Sequence, residues 1–258
     1  MSHISRIYLS QISLLDTKIG DIIEIAVKTH YKQYHHLVNV MRIKANDTIT
    51  IFNGSDDISI DLKAQEITKK SIISKIILIK KNPIAKNIKK YHLILPILKK
   101  DQLEEALRMC TEIGIDEFIL INTIYSQNIS KLNFERMNDI IISAAMQCNI
   151  NVLPKINEKI YNINNLPQII KNGDVFFANE ELSNIQSKSI YNNIINQNSN
   201  NVYCIVGPEG GFASEEIDFI NSIKDNNINI FQINLGKNIL RASTAALTIS
   251  YHAINFKM

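Results

Sequence analysis

Val202-Tyr203-Cys204-Ile205-Val206 runs directly into Gly207-Pro208-Glu209-Gly210-Gly211-Phe212, and Ile230-Phe231-Gln232-Ile233 leads, after Asn234, into Leu235-Gly236-Lys237-Asn238-Ile239-Leu240-Arg241. Each apolar run is short and bounded by glycine, so each reads as a buried strand. Each loop then enters a helix. Ser214 can cap the first, with Glu215 and Glu216 in its positive first turn. The second continues through Ala242-Ser243-Thr244-Ala245-Ala246-Leu247. Neighbouring strand ends with glycine loops are where an open parallel sheet binds ligands, because glycine lets the backbone approach a ligand closely. The loops are neither a phosphate-binding P-loop nor a dinucleotide fingerprint, since neither Gly-Lys-Ser/Thr nor G-x-G-x-x-G spacing occurs. Ordinary turns would carry the same glycines.

Outward from this stretch the chain alternates strand and helix. Tyr91 to Ile97, Phe118 to Ile121 and Val175 to Ala178 read as strands. Gln102 to Ile113, Phe134 to Cys148, Ile185 to Ile195, Glu215 to Ile223 and Ala242 to Ile254 read as helices, the first ending near Gly114. Alternation of this kind predicts a parallel sheet covered by helices. The first 80 residues differ. Ile22 to Val27, Thr48 to Phe52, Ile58 to Leu62 and Ile72 to Ile79 are short β-branched runs, Asn53-Gly54 marks a hairpin, and one helix is expected over Tyr31 to Met41. Many short strands with one helix predict a small β-barrel. Lys80 to Lys90, with Pro83 and five lysines, reads as a linker or exposed arm.

The net charge of the 258 residues is +3, unevenly placed. Residues 1–100 hold 17 Lys and Arg against 8 Asp and Glu, a net of +9, and the remainder carries −6. A basic front half suggests contact with a polyanion; a lysine-rich solvated surface gives the same asymmetry. No run of about 18 apolar residues occurs, so no membrane span is expected. The first residues show no signal-peptide core. Cys110, Cys148 and Cys204 are too scattered to pair around a metal, so no metal is expected. They read as small core residues in a reducing, cytoplasmic setting.

Gly207-Pro208-Glu209-Gly210-Gly211, followed by Leu235-Gly236 and then Leu240-Arg241-x-x-Thr244-Ala245-Ala246-Leu247, resembles the RsmE family. These are SPOUT-class methyltransferases that act on the N3 of a uridine in 16S ribosomal RNA. The resemblance reaches the front of the chain. Arg6-Ile7-Tyr8 is similar to the family's opening. His36-Leu37-Val38-Asn39-Val40-Met41-Arg42 is similar to its His-x-x-x-Val-Leu-Arg helix, with Met41 for leucine, and Phe52-Asn53-Gly54 to its Phe-Asp-Gly turn. What the resemblance implies is an α/β protein. Residues 1–80 would form an N-terminal PUA-like β-barrel that binds RNA. Residues 81–258 would form a C-terminal SPOUT methyltransferase domain threaded as a trefoil knot and paired in a homodimer. The implied substrate is 16S rRNA or the small ribosomal subunit, and the implied cofactor S-adenosylmethionine.

Three loops should then build the pocket, with Ala178, Asn179 and Glu180 on the first, Gly207, Glu209 and Gly210 on the second, and Leu235, Gly236, Ile239 and Leu240 on the third. Thr244 joins the cofactor set from the following helix. Gly207, Leu235, Gly236, Ile239 and Leu240 could cradle adenine, and Glu180 could hold ribose hydroxyls or simply start a helix. Removing the N3 proton leaves negative charge on the flanking oxygens, where a cation helps. Arg241 is the catalytic candidate; a phosphate contact or helix-end ion pair are its alternatives. Glu209 is the nearest carboxylate to act as base, although orienting its own loop is the other use for it. RNA contacts are expected from Arg6, His36, Arg42 and Gln147, with packing beneath the helix the other use for His36. The chain departs from the family at Ser243, where glutamate is usual, at Met146-Gln147-Cys148-Asn149-Ile150, in place of Glu-Gln-x-x-Arg, and at Ser126-Gln127, in place of Glu-Arg. The alternatives that these neutral positions leave open are an RNA-binding assembly factor with weakened catalysis and a SPOUT enzyme acting on another RNA position.

Overall fold

The computed structural model describes residues 5–10, 12–81, 89–127, 132–180, 200–223 and 227–255. The chain divides into two units. One comprises Met1–Ile84 together with Ala145–Leu153, and the other Ala85–Ala144 together with Pro154–Met258.

The first unit is built on a five-stranded mixed sheet. Its strands are β1 (Ser5–Tyr8), β2 (Ile22–Ala26), β3 (Thr48–Phe52), β4 (Ile58–Ile67) and β5 (Ser71–Lys81), in the order β1-β3-β4-β5-β2. β1 runs parallel to β3, and the remaining pairs are antiparallel. β-branched residues alternate along these strands, so one face supplies a core of Ile7, Ile49, Ile51, Ile60, Leu62, Ile72 and Ile76. The Asn53 side chain shapes the β3–β4 turn, its Oδ1 accepting the N–H groups of Ser55 at 3.2 Å and Asp56 at 3.0 Å. The single helix expected over 31–41 is corrected. α1 spans Tyr31–His35 and continues as a π-helical turn over His36–Val40, where the Met41 N–H reaches the His36 carbonyl at 2.9 Å. Arg42, in the left-handed region at φ 53°, ends it. The wider turn leaves Leu37 fully buried in the core.

Residues 145–153 belong to this unit through bonds far apart in sequence. Arg6 Nη2 donates to the Ile150 carbonyl at 2.8 Å and to Asn151 Oδ1 at 2.7 Å, while its guanidinium lies 4.3 Å from the centre of the Phe52 ring. Leu153 N–H donates to the Gly54 carbonyl at 2.8 Å.

The second unit is a parallel sheet with β6 (Lys90–Pro96), β7 (Glu117–Asn122), β8 (Lys155–Ile156), β9 (Tyr161–Asn162), β10 (Gly173–Ala178), β11 (Asn201–Ile205) and β12 (Ile228–Ile233). The order is β12-β10-β11-β6-β7-β8, with β9 also paired to β7. Strands covered on both faces read as unbroken apolar runs, as Phe176-Phe177 and Val202-Tyr203-Cys204-Ile205 do. The helices are α2 (Lys100–Ile113), α3 (Phe134–Cys148), α4 (Leu166–Ile169), α5 (Ser214–Ser222) and α6 (Ala242–Asn255). α2 ends at Gly114 in the left-handed conformation, φ 99°. α6 packs on α2, β6, β10 and β11. The helix expected over 185–195 lies outside the described residues.

Two local expectations are corrected. Ser214 is the first residue of α5 rather than its cap; Ala213 holds the cap position, and Glu216 Oε2 accepts the Ala213 N–H at 3.0 Å. β5 extends through Lys81 into the proposed lysine arm, and Lys80 is ion-paired to Asp61 at 2.7 Å.

Candidate cofactor site

β10 lies between β11 and β12, with Phe177 opposite both Ile205 and Gln232. The loops that leave these three strands therefore start within about 5 Å of their neighbours, one strand spacing apart. They line one cleft, part of it open to solvent. Its walls are Ala178, Asn179 and Glu180, then Gly207 to Phe212, then Asn234, Leu235, Gly236, Asn238, Ile239 and Leu240, with Ile217, Ile233, Ala242 and Ala245 beneath.

Two glycines shape the second loop for physical reasons. A Cβ at Gly207 would lie 3.0 Å from the Phe212 ring, which packs edge-on against Phe177 with centroids 4.9 Å apart. Gly211 has φ +71° and closes a turn by donating to the Pro208 carbonyl at 2.9 Å. A Cβ there would stand 3.2 Å from Glu180 Oε1, so the first loop's carboxylate rests over the second loop's backbone. Asn179 is drawn to the third strand. Its N–H donates to the Ile233 carbonyl at 3.0 Å and its side chain to Gln232 Oε1 at 3.1 Å. In the third loop Gly236 has φ +132°, its N–H donates to Asn234 Oδ1 at 2.8 Å, and nothing stands where a Cβ would be. Ile239 is 81% exposed, an apolar side chain facing solvent at the cleft.

Ten expected cofactor residues thus meet in one cleft: Ala178, Asn179, Glu180, Gly207, Glu209, Gly210, Leu235, Gly236, Ile239 and Leu240. Thr244 is exposed and is not among the residues that line the cleft. Helical geometry is the reason, since Ala242 and Ala245 share one face at i, i+3 and Thr244 is turned from it. Arg241 also lies outside the lining, although both its neighbours contribute to it. Arg241 faces an adjoining groove with Asp101, Glu104, Glu105, Arg108 and Arg136. Phe212, Ile217 and Ala245 also line the cleft, outside the three expected loops; Phe212 directly follows the second loop, and Ile217 and Ala245 lie on the helices that follow.

Of the RNA candidates in the first unit, Arg6 is spent on internal hydrogen bonds, and burial lowers its pKa from the usual arginine value. His36 is half-buried in the π turn; Arg42 and Gln147 are exposed. Burial raises the Cys110 and Cys204 thiols, pushing Cys204 up to about 12. Among the described residues no group of three or more His, Cys, Asp or Glu is placed to hold a metal, and no helix is long and apolar enough to cross a membrane.

The walls suit an adenosine: aliphatic side chains for a flat ring, open backbone for its edge, and a carboxylate for a diol. A model of the RNA methyltransferase domain matches residues 85–253, and one of the RNA methyltransferase PUA domain matches residues 32–77. Ribosomal RNA small subunit methyltransferase E of Rickettsia conorii is 32% identical over 247 residues, covering 95% of this chain and 92% of the relative. The protein of that name from Mesomycoplasma hyopneumoniae is 34% identical, covering 81% and 86%. Among solved structures, ribosomal RNA small subunit methyltransferase E from Neisseria gonorrhoeae, bound to S-adenosylmethionine, superposes with a TM-score of 0.76 at 20% identity, over 96% of this chain and 95% of that one. At that identity the likeness is one of fold.

Proposed function

Because this chain belongs to the ribosomal RNA small subunit methyltransferase E family, we propose that it transfers a methyl group from S-adenosylmethionine to the N3 of a uridine in 16S rRNA. The observation that carries this reading is the convergence of three loops, from β10, β11 and β12, on one glycine-walled cleft.

When bound, S-adenosylmethionine supplies an electrophilic methyl group, and the protein supplies position and electrostatics. Leu235, Ile239 and Leu240 would flank the adenine, the backbone of Gly207 and Gly236 would meet its polar edge, and Glu180 would accept from the ribose hydroxyls. Closure of Ile239 over the ring would remove its exposed surface from water. Arg241, beside the cleft, would stabilise charge on the uracil oxygens as the N3 proton leaves. Calorimetric titration with S-adenosylmethionine tests the cleft assignment. Binding is expected, weakened by Glu180→Ala and by Ile239→Asp; an affinity indifferent to both would place the cofactor elsewhere.

The proposal extends to a homodimer. Support comes from the outer face of α2 and α6, where Met109, Ile113, Leu247 and Tyr251 line an open groove. Light scattering showing a monomer at micromolar concentration would count against it.

A further inference from the structure

Glu216 is 4% exposed, and its two oxygens serve two different loops. Oε2 accepts the Ala213 N–H at 3.0 Å, at the end of the glycine loop, and Oε1 accepts the Ile124 N–H at 2.9 Å, in the loop after β7. A carboxylate with both oxygens occupied by backbone donors is a strong, directional clamp. The clamped loop is itself a tight turn. Ser126 N–H donates to the Thr123 carbonyl at 3.1 Å, Thr123 N–H donates to Ser126 Oγ at 2.8 Å, and Gln127 N–H reaches the Ile97 carbonyl at 2.8 Å. The result lays Tyr125 on Gly210. A Cβ at Gly210 would stand 3.2 Å from Tyr125 Cβ and 3.4 Å from its Cγ.

Gly210 lines the cofactor cleft, yet Tyr125 remains 51% exposed. One side of this residue is therefore seated on the cleft-forming backbone while much of its surface meets solvent. Immobilising a half-wet aromatic costs side-chain entropy and leaves apolar area in water. A base drawn out of an RNA structure needs such a surface, because splayed bases are held by stacking on aromatic side chains.

We propose that Tyr125 is the platform on which the target base stacks beside the cofactor cleft, and that Glu216 is the positioning residue that holds this platform against the glycine loop. The proposal rests on the reading of the cleft as the cofactor site of an RNA methyltransferase.

The test uses the full chain and unmethylated small ribosomal subunits. Tyr125→Ala should lower kcat/KM for the subunits by roughly 10- to 100-fold, the usual range for a lost base–aromatic stack, with the Kd for S-adenosylmethionine unchanged. Tyr125→Phe, which keeps the ring, should recover the rate. Glu216→Gln should lower kcat/KM in the unaltered background and add little to Tyr125→Ala, as coupled residues do. The chain contains no tryptophan, so Tyr125→Trp introduces a single indole whose emission should be quenched on addition of subunits. Full activity in Tyr125→Ala would overturn the proposal. So would a parallel loss of cofactor affinity, or a full additive cost of Glu216→Gln. If the unaltered protein transfers no methyl, the enzyme reading fails, and the indole then decides this proposal alone. Quenching sustains the platform, and unchanged emission removes it.

Discussion

The hydroxyl of Ser243 donates to Glu105 Oε2 at 2.8 Å, joining the first turn of α6 to α2. Ser243 is fully buried, and α6 has no acidic residue in its first turn. Glu105 thus brings a carboxylate to the positive end of α6 from another helix. Ser243→Ala should cost about 1 kcal/mol, a fall in Tm of roughly 2–4 °C for a chain of this size. Ser243→Glu would bury a second carboxylate beside Glu105 and should destabilise more. Thermal unfolding of both variants checks the order, and an unchanged Tm in Ser243→Glu would show that the tie carries no weight.

Arg241 precedes α6 and adjoins the cleft without lining it. If it stabilises the developing uracil charge, its contribution belongs to the transition state. Arg241→Ala should then lower the methylation rate by roughly 10²–10³ and leave cofactor affinity intact. A fall in RNA affinity with the maximal rate preserved would make Arg241 a phosphate contact instead.

Gly207 and Gly236 should fail for different reasons when changed to alanine. At Gly207 the new methyl meets the Phe212 ring at 3.0 Å, so packing is disturbed and about 1–3 kcal/mol is lost. At Gly236 space is open, and the cost is the positive φ alone, about 1 kcal/mol. Denaturant unfolding separates the two, because only the first is relieved by Phe212→Leu.

Acid should weaken the second unit through Glu117. The hydrogen bond from His92, 2.7 Å long, is the largest cause holding this carboxyl below the usual glutamate range. A depressed folded value contributes stability above the unfolded pKa, about 4.3, and loses it as pH falls through the folded value. After allowance for partial solvent screening the contribution is about 1 kcal/mol. Glu117→Gln should lower stability at pH 7 and flatten the decline below about pH 4.3. A decline as steep as that of the unaltered chain would assign the acid sensitivity elsewhere.

The parallel sheet and its loops were readable because their signals are local. Val202 to Val206 and Ile230 to Ile233 are apolar without interruption, and glycine marks where each strand ends. Gly114 and Asn53-Gly54 announced their turns by the same short-range chemistry. Features that depend on distant partners were not readable. Residues 145–153 join the first unit through Arg6, some 145 positions away, so α3 gave no sign that its end changes units. Glu216 looked like a helix-start charge, and only the fold brings the Ile124 N–H, 92 positions away, to its carboxylate. Arg241 and Thr244 were placed at the site by motif, whereas the phase of α6 turns Ala242 and Ala245 to the cleft instead.

The most direct measurement is incubation of the protein with isotopically labelled S-adenosylmethionine and unmethylated small ribosomal subunits, followed by mass mapping of the 16S rRNA. We predict one labelled methyl on a uridine, at N3, absent when the cofactor is omitted and strongly reduced in Arg241→Ala. Recovery of unlabelled RNA from a protein that demonstrably binds both cofactor and subunit would contradict the assignment as an enzyme, and a label on a ribose would contradict the assignment of the atom.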